Sequence, residues 1–229
     1  MLKKIKSLKS LDILILLLCA DIFFVILHLI HKIPFLNDLI PLFNEDAFSI
    51  SHDLGLAESY QYVQELWIAL LFLWLVFHFR KTAYWGWAAL FGYFLVDDML
   101  GVHEWLGDHV GPLMGNLLAN TPLAGAKMDS LGELVPLAGL GLVFFVILYL
   151  TYRRSNLDTR AVFRVLTWMT AALLFFGVVL DAFDTFLPTE MLKSVARLIE
   201  DGGEMFAMSV ICWYTYTLTL PTQHDPVPA

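Results

Sequence analysis

Within the stretch "YFLVDDMLGVHEWLG", residues 93–107, Asp97, Asp98, His103 and Glu104 fall inside about two helical turns. Carboxylate oxygens and an imidazole at such spacing are ligands for iron, zinc or manganese. The surrounding residues are apolar enough to cross a membrane, where a carboxylate at the bilayer centre costs roughly 2.5–3.5 kcal/mol on insertion scales. Further acids recur in similar settings: Glu133, then Asp181 and Asp184 in "LDAFDTF", then Glu200, Asp201 and Glu204 in "RLIEDGGEMF". Like charges brought together demand a proton or a cation. The residues therefore predict a site for one or two divalent transition metals, iron or zinc foremost and manganese as a third choice. Its expected ligands are Asp97, Glu104, Asp181, Asp184, Glu200 and Glu204. Asp98, His103, Glu133 and Asp201 are expected as further ligands or as their hydrogen-bonding neighbours.

The elements that must position these groups are membrane helices. Of 229 residues, 59% are hydrophobic, mean hydropathy is +0.69, and the apolar residues come in blocks of the ~20 needed to span a hydrocarbon core. The predicted fold is an all-α polytopic membrane protein, one domain over 1–229, with six transmembrane helices at about 11–32, 58–80, 83–106, 131–152, 161–187 and 198–220. Pro34, Pro41, Pro112, Pro122, Pro188 and Pro221 are assigned to the gaps or their edges. The basic, then apolar, start is read as a membrane anchor and not a cleaved signal, because the apolar run is long and no small-residue cleavage site follows it. Lys3, Lys4, Lys6 and Lys9, then Arg80 and Lys81, then Arg153, Arg154, Arg160 and Arg164 flank alternate connections. By the positive-inside rule both termini are predicted cytoplasmic. The net charge of −8 and the lack of a basic, aromatic-interleaved tract exclude nucleic acid as a partner. Cys19 and Cys212 lie in apolar segments without paired spacing and are read as packing residues.

This topology gathers the acids at one depth. The third and fifth spans run outward, the fourth and sixth inward, so all four deliver carboxylates to the outer third of the membrane. At 100° per residue, Asp97, Gly101 and Glu104 share a face, as do Gly177, Asp181 and Asp184, and Glu200 and Glu204; the glycines permit close helix approach. Asp98 and His103 point to the flanks of a continuous helix. Glu65, on the second span, is placed outside the site. Simpler roles compete for individual residues: Glu133 suits a helix N-terminus, and Arg197 and Lys193 offer Glu200 and Asp201 local neutralisation. His28 and His31 are read as packed or interfacial, His52 and His78 as interfacial, and the aromatic run "YWGWAALFGYF" as belt and packing.

Trp87 to Phe94 leading into Asp97-Asp98 and His103-Glu104, the later Glu200-Asp201 and Glu204, and "DLGLAESYQY" before the second span together resemble a group of uncharacterised multi-pass bacterial membrane proteins. The resemblance implies a bacterial inner membrane and supports these positions as a set. No Ser or Cys nucleophile or oxyanion motif fixes a reaction, so catalysis stays open. The leading expectation is an outer-side metal site, serving a membrane enzyme that acts on a lipid-like substrate or oxygen. The alternatives are proton- or cation-coupled transport and a structural or assembly subunit. The lipid bilayer is the expected partner in each case.

Overall fold

The computed structural model describes residues 2–40, 42, 45–52, 54–118, 128–180 and 187–220, and the regular elements among them are all helical. They run α1 (Leu2–His31), α2 (Pro34–Leu39), α3 (Leu56–Phe77), α4 (Trp85–Leu100), α5 (Val102–Leu118), α6 (Met128–Arg154), α7 (Leu157–Leu174) and α8 (Glu190–Thr219). Short 3-10 turns lie at Asp46–Phe48 and Thr82–Tyr84, and α7 continues as a π-helical stretch, Phe175–Leu180. Four helical stretches, Ser10–His31, Leu56–Phe77, Gly132–Arg154 and Leu157–Leu180, are long and apolar enough to cross a membrane, as befits an integral membrane protein.

Several predicted boundaries change. The third span does not run unbroken to 106. It stops at Gly101, whose φ of +58° is the left-handed conformation glycine adopts without a Cβ penalty, and the chain restarts as α5. Residues 107–118, assigned to an outer loop, belong to that helix, with Pro112 inside it and Pro136 inside α6. The first helix begins well before 11 and the last before 198. The fifth predicted span loses its α-helical register at Leu174.

α3 is central, packing on α4 and α8, while α1 lies against α8. Away from the acids the interior is aromatic: Phe72 stacks on Tyr84, Trp87 and Phe91, and Trp87 meets Phe163 edge-on. Trp87 and Phe91 bury their rings here, as the packing role expected of that aromatic run requires. Cys212 is buried in this core, but Cys19 faces outward, contrary to a core role for both. One polar tie joins three helices: the Gln64 side chain donates to Ser209 Oγ at 2.7 Å and Ser209 donates to Asp21 Oδ1 at 3.0 Å, all buried. In an apolar setting such bonds hold register, since a broken one leaves a buried group unsatisfied.

The α6–α7 joint is sharp because Arg160 turns back to cap α6, donating to the Tyr152 and Arg153 carbonyls at 3.1 and 2.6 Å. Asn156 accepts from Thr159 N at 2.9 Å to start α7. α5 crosses the first turns of α6 through glycines. A Cβ on Gly132 would come within 2.5 Å of the Gly107 carbonyl and 2.8 Å of Gly111, so the Gly107-to-Gly111 spacing works as a close-packing face.

Candidate metal centre

The left-handed turn at Gly101 builds the heart of the site. Its N–H bonds the Asp97 carbonyl and ends α4, while the buried Asp97 carboxylate reaches past it and accepts from His103 N at 2.9 Å. One carboxylate thus serves the free N–H groups and positive end of α5. The His103 ring follows, its Nδ1 3.2 Å from Asp97 Oδ2 though off the line of a hydrogen bond. Asp97, Asp98 and His103 can each offer one ligand atom with all three atoms within 4.8 Å of one another. A continuous helix would have sent Asp98 and His103 to its flanks. The break turns His103 back toward Asp97, whereas Asp98 lies within α4, before the break, and is exposed at the cavity edge.

α3 brings an edge the sequence reading left out. Glu58, Gln61 and Glu65, spaced three and four residues apart, lie along one face. Glu65 is 1% exposed, within hydrogen-bonding reach of Asp98, and its Oε2 has no donor. Two carboxyls can meet this way only through a shared proton or cation. Placing Glu65 outside the site was therefore an error: the high average hydropathy of its helix conceals one buried acid.

α8 supplies Glu200, Asp201 and Glu204. Gln61 donates to Glu204, and Glu204 lies so close over Gly177 of the π-helical stretch that a Cβ there would sit 1.6 Å from Oε1. Any side chain there would have to displace that carboxylate. The loop before α3 closes another side: Ser51 Oγ donates to Asp201, and the Leu54 N–H donates to Glu58. The loop is held by His28, whose Nδ1 accepts from Ile50 N at 3.0 Å. That fixes the proton on Nε2 and makes His28 a buried packing residue, as expected.

These groups line one cavity of about 490 Å³. Of the predicted ligands, Asp97, Asp98, His103, Glu104, Glu133, Glu200, Asp201 and Glu204 all line it. Asp181 and Asp184 lie outside the described residues, although Gly177 and Val178 just before them belong to the wall. Glu58, Gln61, Glu65 and Arg197 are additions, as is His52, which had been read as interfacial. Lys193 does not join them; it pairs with Glu190 at 2.9 Å. Among the described lining residues nine carboxylates face one arginine and two histidines.

The family model that matches this chain is the domain of unknown function DUF8692, over residues 13–220. The chain belongs to that family. No curated protein and no solved structure matches it. The functional reading therefore rests on the cavity.

The donor set suits a divalent first-row metal: carboxylates and imidazole, without paired thiolates. Asp97, Asp98 and His103 can each offer a donor atom to one ion, and Glu65 adds an oxygen without a partner.

Proposed function

We propose that the protein holds one or two divalent metal ions, iron or zinc foremost, in an outer-side cavity between its transmembrane helices, and that any catalysis it performs acts there on a lipid-like substrate or oxygen. One observation carries this reading: Glu65, almost fully buried, meets Asp98 carboxyl to carboxyl with an oxygen lacking any donor, in a cavity where acids far outnumber bases. A cation relieves that arrangement, as a shared proton also would. When bound, such an ion supplies Lewis acidity and an activated water or oxygen. The chain's own part is to hold the ligands, with Asp97 fixing the start of α5 and Gly177 leaving room for Glu204.

The remaining elements of the proposal are six crossings, both termini in the cytoplasm and a bacterial inner membrane. Proton-coupled transport is the alternative, favoured by the buried Gln64–Ser209–Asp21 chain beside Glu65. That chain's three buried residues join three helices directly, which speaks for a structural tie and not a conduit.

The deciding experiment is metal analysis of the protein purified without chelator. About one equivalent or more of iron, zinc or manganese is expected, with a fall in melting temperature on its removal. Less than about a tenth of an equivalent, with no rise in melting temperature on adding metal, overturns the metal reading and makes transport the leading one.

A further inference from the structure

A second cavity, of about 900 Å³ and walled mostly by apolar side chains, lies between α4, α6 and α7. It exists because α6 stands off from the other helices: from Glu133 to Arg154 none of its residues is buried. Phe145, Tyr149, Trp168 and Phe175 line the cavity yet remain exposed, so it is a groove open to the side. From Leu137 to Tyr152, both on its α6 wall, it runs about 22 Å. That is room for an acyl chain, which spans the ~15 Å hydrocarbon depth of one leaflet.

Among the described lining residues one is charged, Arg164. It follows the first residue of α7, Leu157, by seven positions and so lies about 10 Å inside the apolar span Leu157–Leu180. A guanidinium at that depth is costly unless an anion meets it. No described residue hydrogen-bonds or ion-pairs with it, and none of the described lining residues is a carboxylate. On the α6 wall, Tyr149 lies five residues before the end of its helix, at about the same depth. Its hydroxyl accepts from Arg153 Nη1 at 3.1 Å, which leaves the phenolic O–H to donate. A fixed positive charge and a hydrogen-bond donor thus stand on the two walls at one end of an apolar groove.

We propose that this groove binds an anionic phospholipid, its phosphate held by Arg164 and Tyr149 and one acyl chain laid along α6 toward Leu137. A guanidinium fork matches two phosphate oxygens, and the bilayer surface supplies that anion within reach of an arginine extended along its apolar stem. With no acid in the described lining to meet a choline or ethanolamine, the charge balance selects an anionic lipid over a zwitterionic one. The far end of the chain comes against Phe94, Leu134 and Leu137, which also wall the carboxylate cavity. The inference stands on the groove and its arginine, so lipid binding and metal content report on the two readings separately.

The test uses the full chain in phosphatidylcholine nanodiscs containing a phosphatidylglycerol probe with a diazirine at the end of one acyl chain. Photolabelling is expected on Leu137 or Ala138, away from Arg164, and should exceed that of a phosphatidylcholine probe about fivefold or more. Arg164→Gln should abolish this preference and Arg164→Lys should keep part of it. Arg154→Gln, at an exposed arginine outside the lining, should leave it intact. Gly141 lines the groove with open space around it, so Gly141→Trp should cut labelling by either probe about fivefold. Metal content should be unaltered in all four variants. Equal labelling by the two probes, or an equal loss with Arg154→Gln, overturns the arginine-held phosphate. Labelling concentrated on Tyr149 and Tyr152 puts the head at the wrong end and does the same. Competition by hexadecanoate but not by unlabelled phosphatidylglycerol overturns the phospholipid in favour of a free fatty acid, and a dimer in light scattering that Gly141→Trp dissociates overturns it in favour of a second copy.

Discussion

At the residue scale, Glu65 and Asp97 show how two buried acids on neighbouring helices take different work. Glu65 has an oxygen without a donor, so its charge is tolerable only with a cation or proton. Glu65→Gln should lower metal content at least as much as Glu204→Gln, whereas Asp158→Asn, at an exposed position in the first turn of α7, should not change it; elemental analysis of the three proteins side by side checks this. Asp97 already has a partner in His103 N. Asp97→Asn keeps an oxygen for that N–H and should cost little stability, while Asp97→Ala removes the cap and should cost ~0.5–2 kcal/mol, read as a lower melting temperature of the metal-free protein. Metal affinity should fall with acidification in every case, because carboxylate and imidazole ligands must shed their protons to bind.

At the element scale, the device that makes the site is the break between α4 and α5. Gly101→Ala puts a Cβ at φ +58° and 3.1 Å from Glu104 Oε2, and the left-handed conformation alone costs roughly 1–2 kcal/mol for an L-residue. Weaker metal binding and a lower melting temperature are expected, with Gly101→Asn milder because asparagine tolerates that conformation. This break also marks the limit of what the sequence discloses. Helical periodicity and hydropathy place the long apolar helices and bring the α4, α6 and α8 acids to one level, since both depend on averages over many residues. The turn at Gly101 depends on a single backbone dihedral. A glycine inside an apolar run reads equally well as a helix-packing residue, so His103 was aimed to the helix flank. The same averaging hid Glu65 in α3 and turned residues 107–118, with their glycines and Pro112, into a loop. The π-helical stretch over Gly177, which opens the space for Glu204, leaves no periodic trace at all.

At the scale of the whole molecule, the remaining question is which side the cavity faces. α4 has 16 residues, about 24 Å, short of a ~30 Å core, but the 3-10 turn at Thr82–Tyr84 before it and the first turns of α5 lengthen the helical path. α8 has 30 residues, and of its charged residues Arg197, Glu200, Asp201 and Glu204 line the cavity. The proposed count of six takes both as crossings with the four apolar spans, which would return the chain ends to one side. In the proposed topology the positive-inside rule assigns that side to the cytoplasm, from Arg80 and Lys81 at the α3–α4 joint and Arg153, Arg154, Arg160 and Arg164 around the α6–α7 joint. The α1–α3 connection, with Ser51 on Asp201, then faces outward together with the acids. In a background with Cys19 and Cys212 replaced by serine, Asp46→Cys should react with a membrane-impermeant maleimide on intact cells, and Asp158→Cys only after permeabilisation. The opposite pattern would turn the cavity inward, and labelling of both on intact cells would mean an even number of crossings between them. If the outward assignment holds, a membrane-impermeant chelator added to intact cells should strip the metal from the wild-type protein, because the ions would exchange with the outer solution.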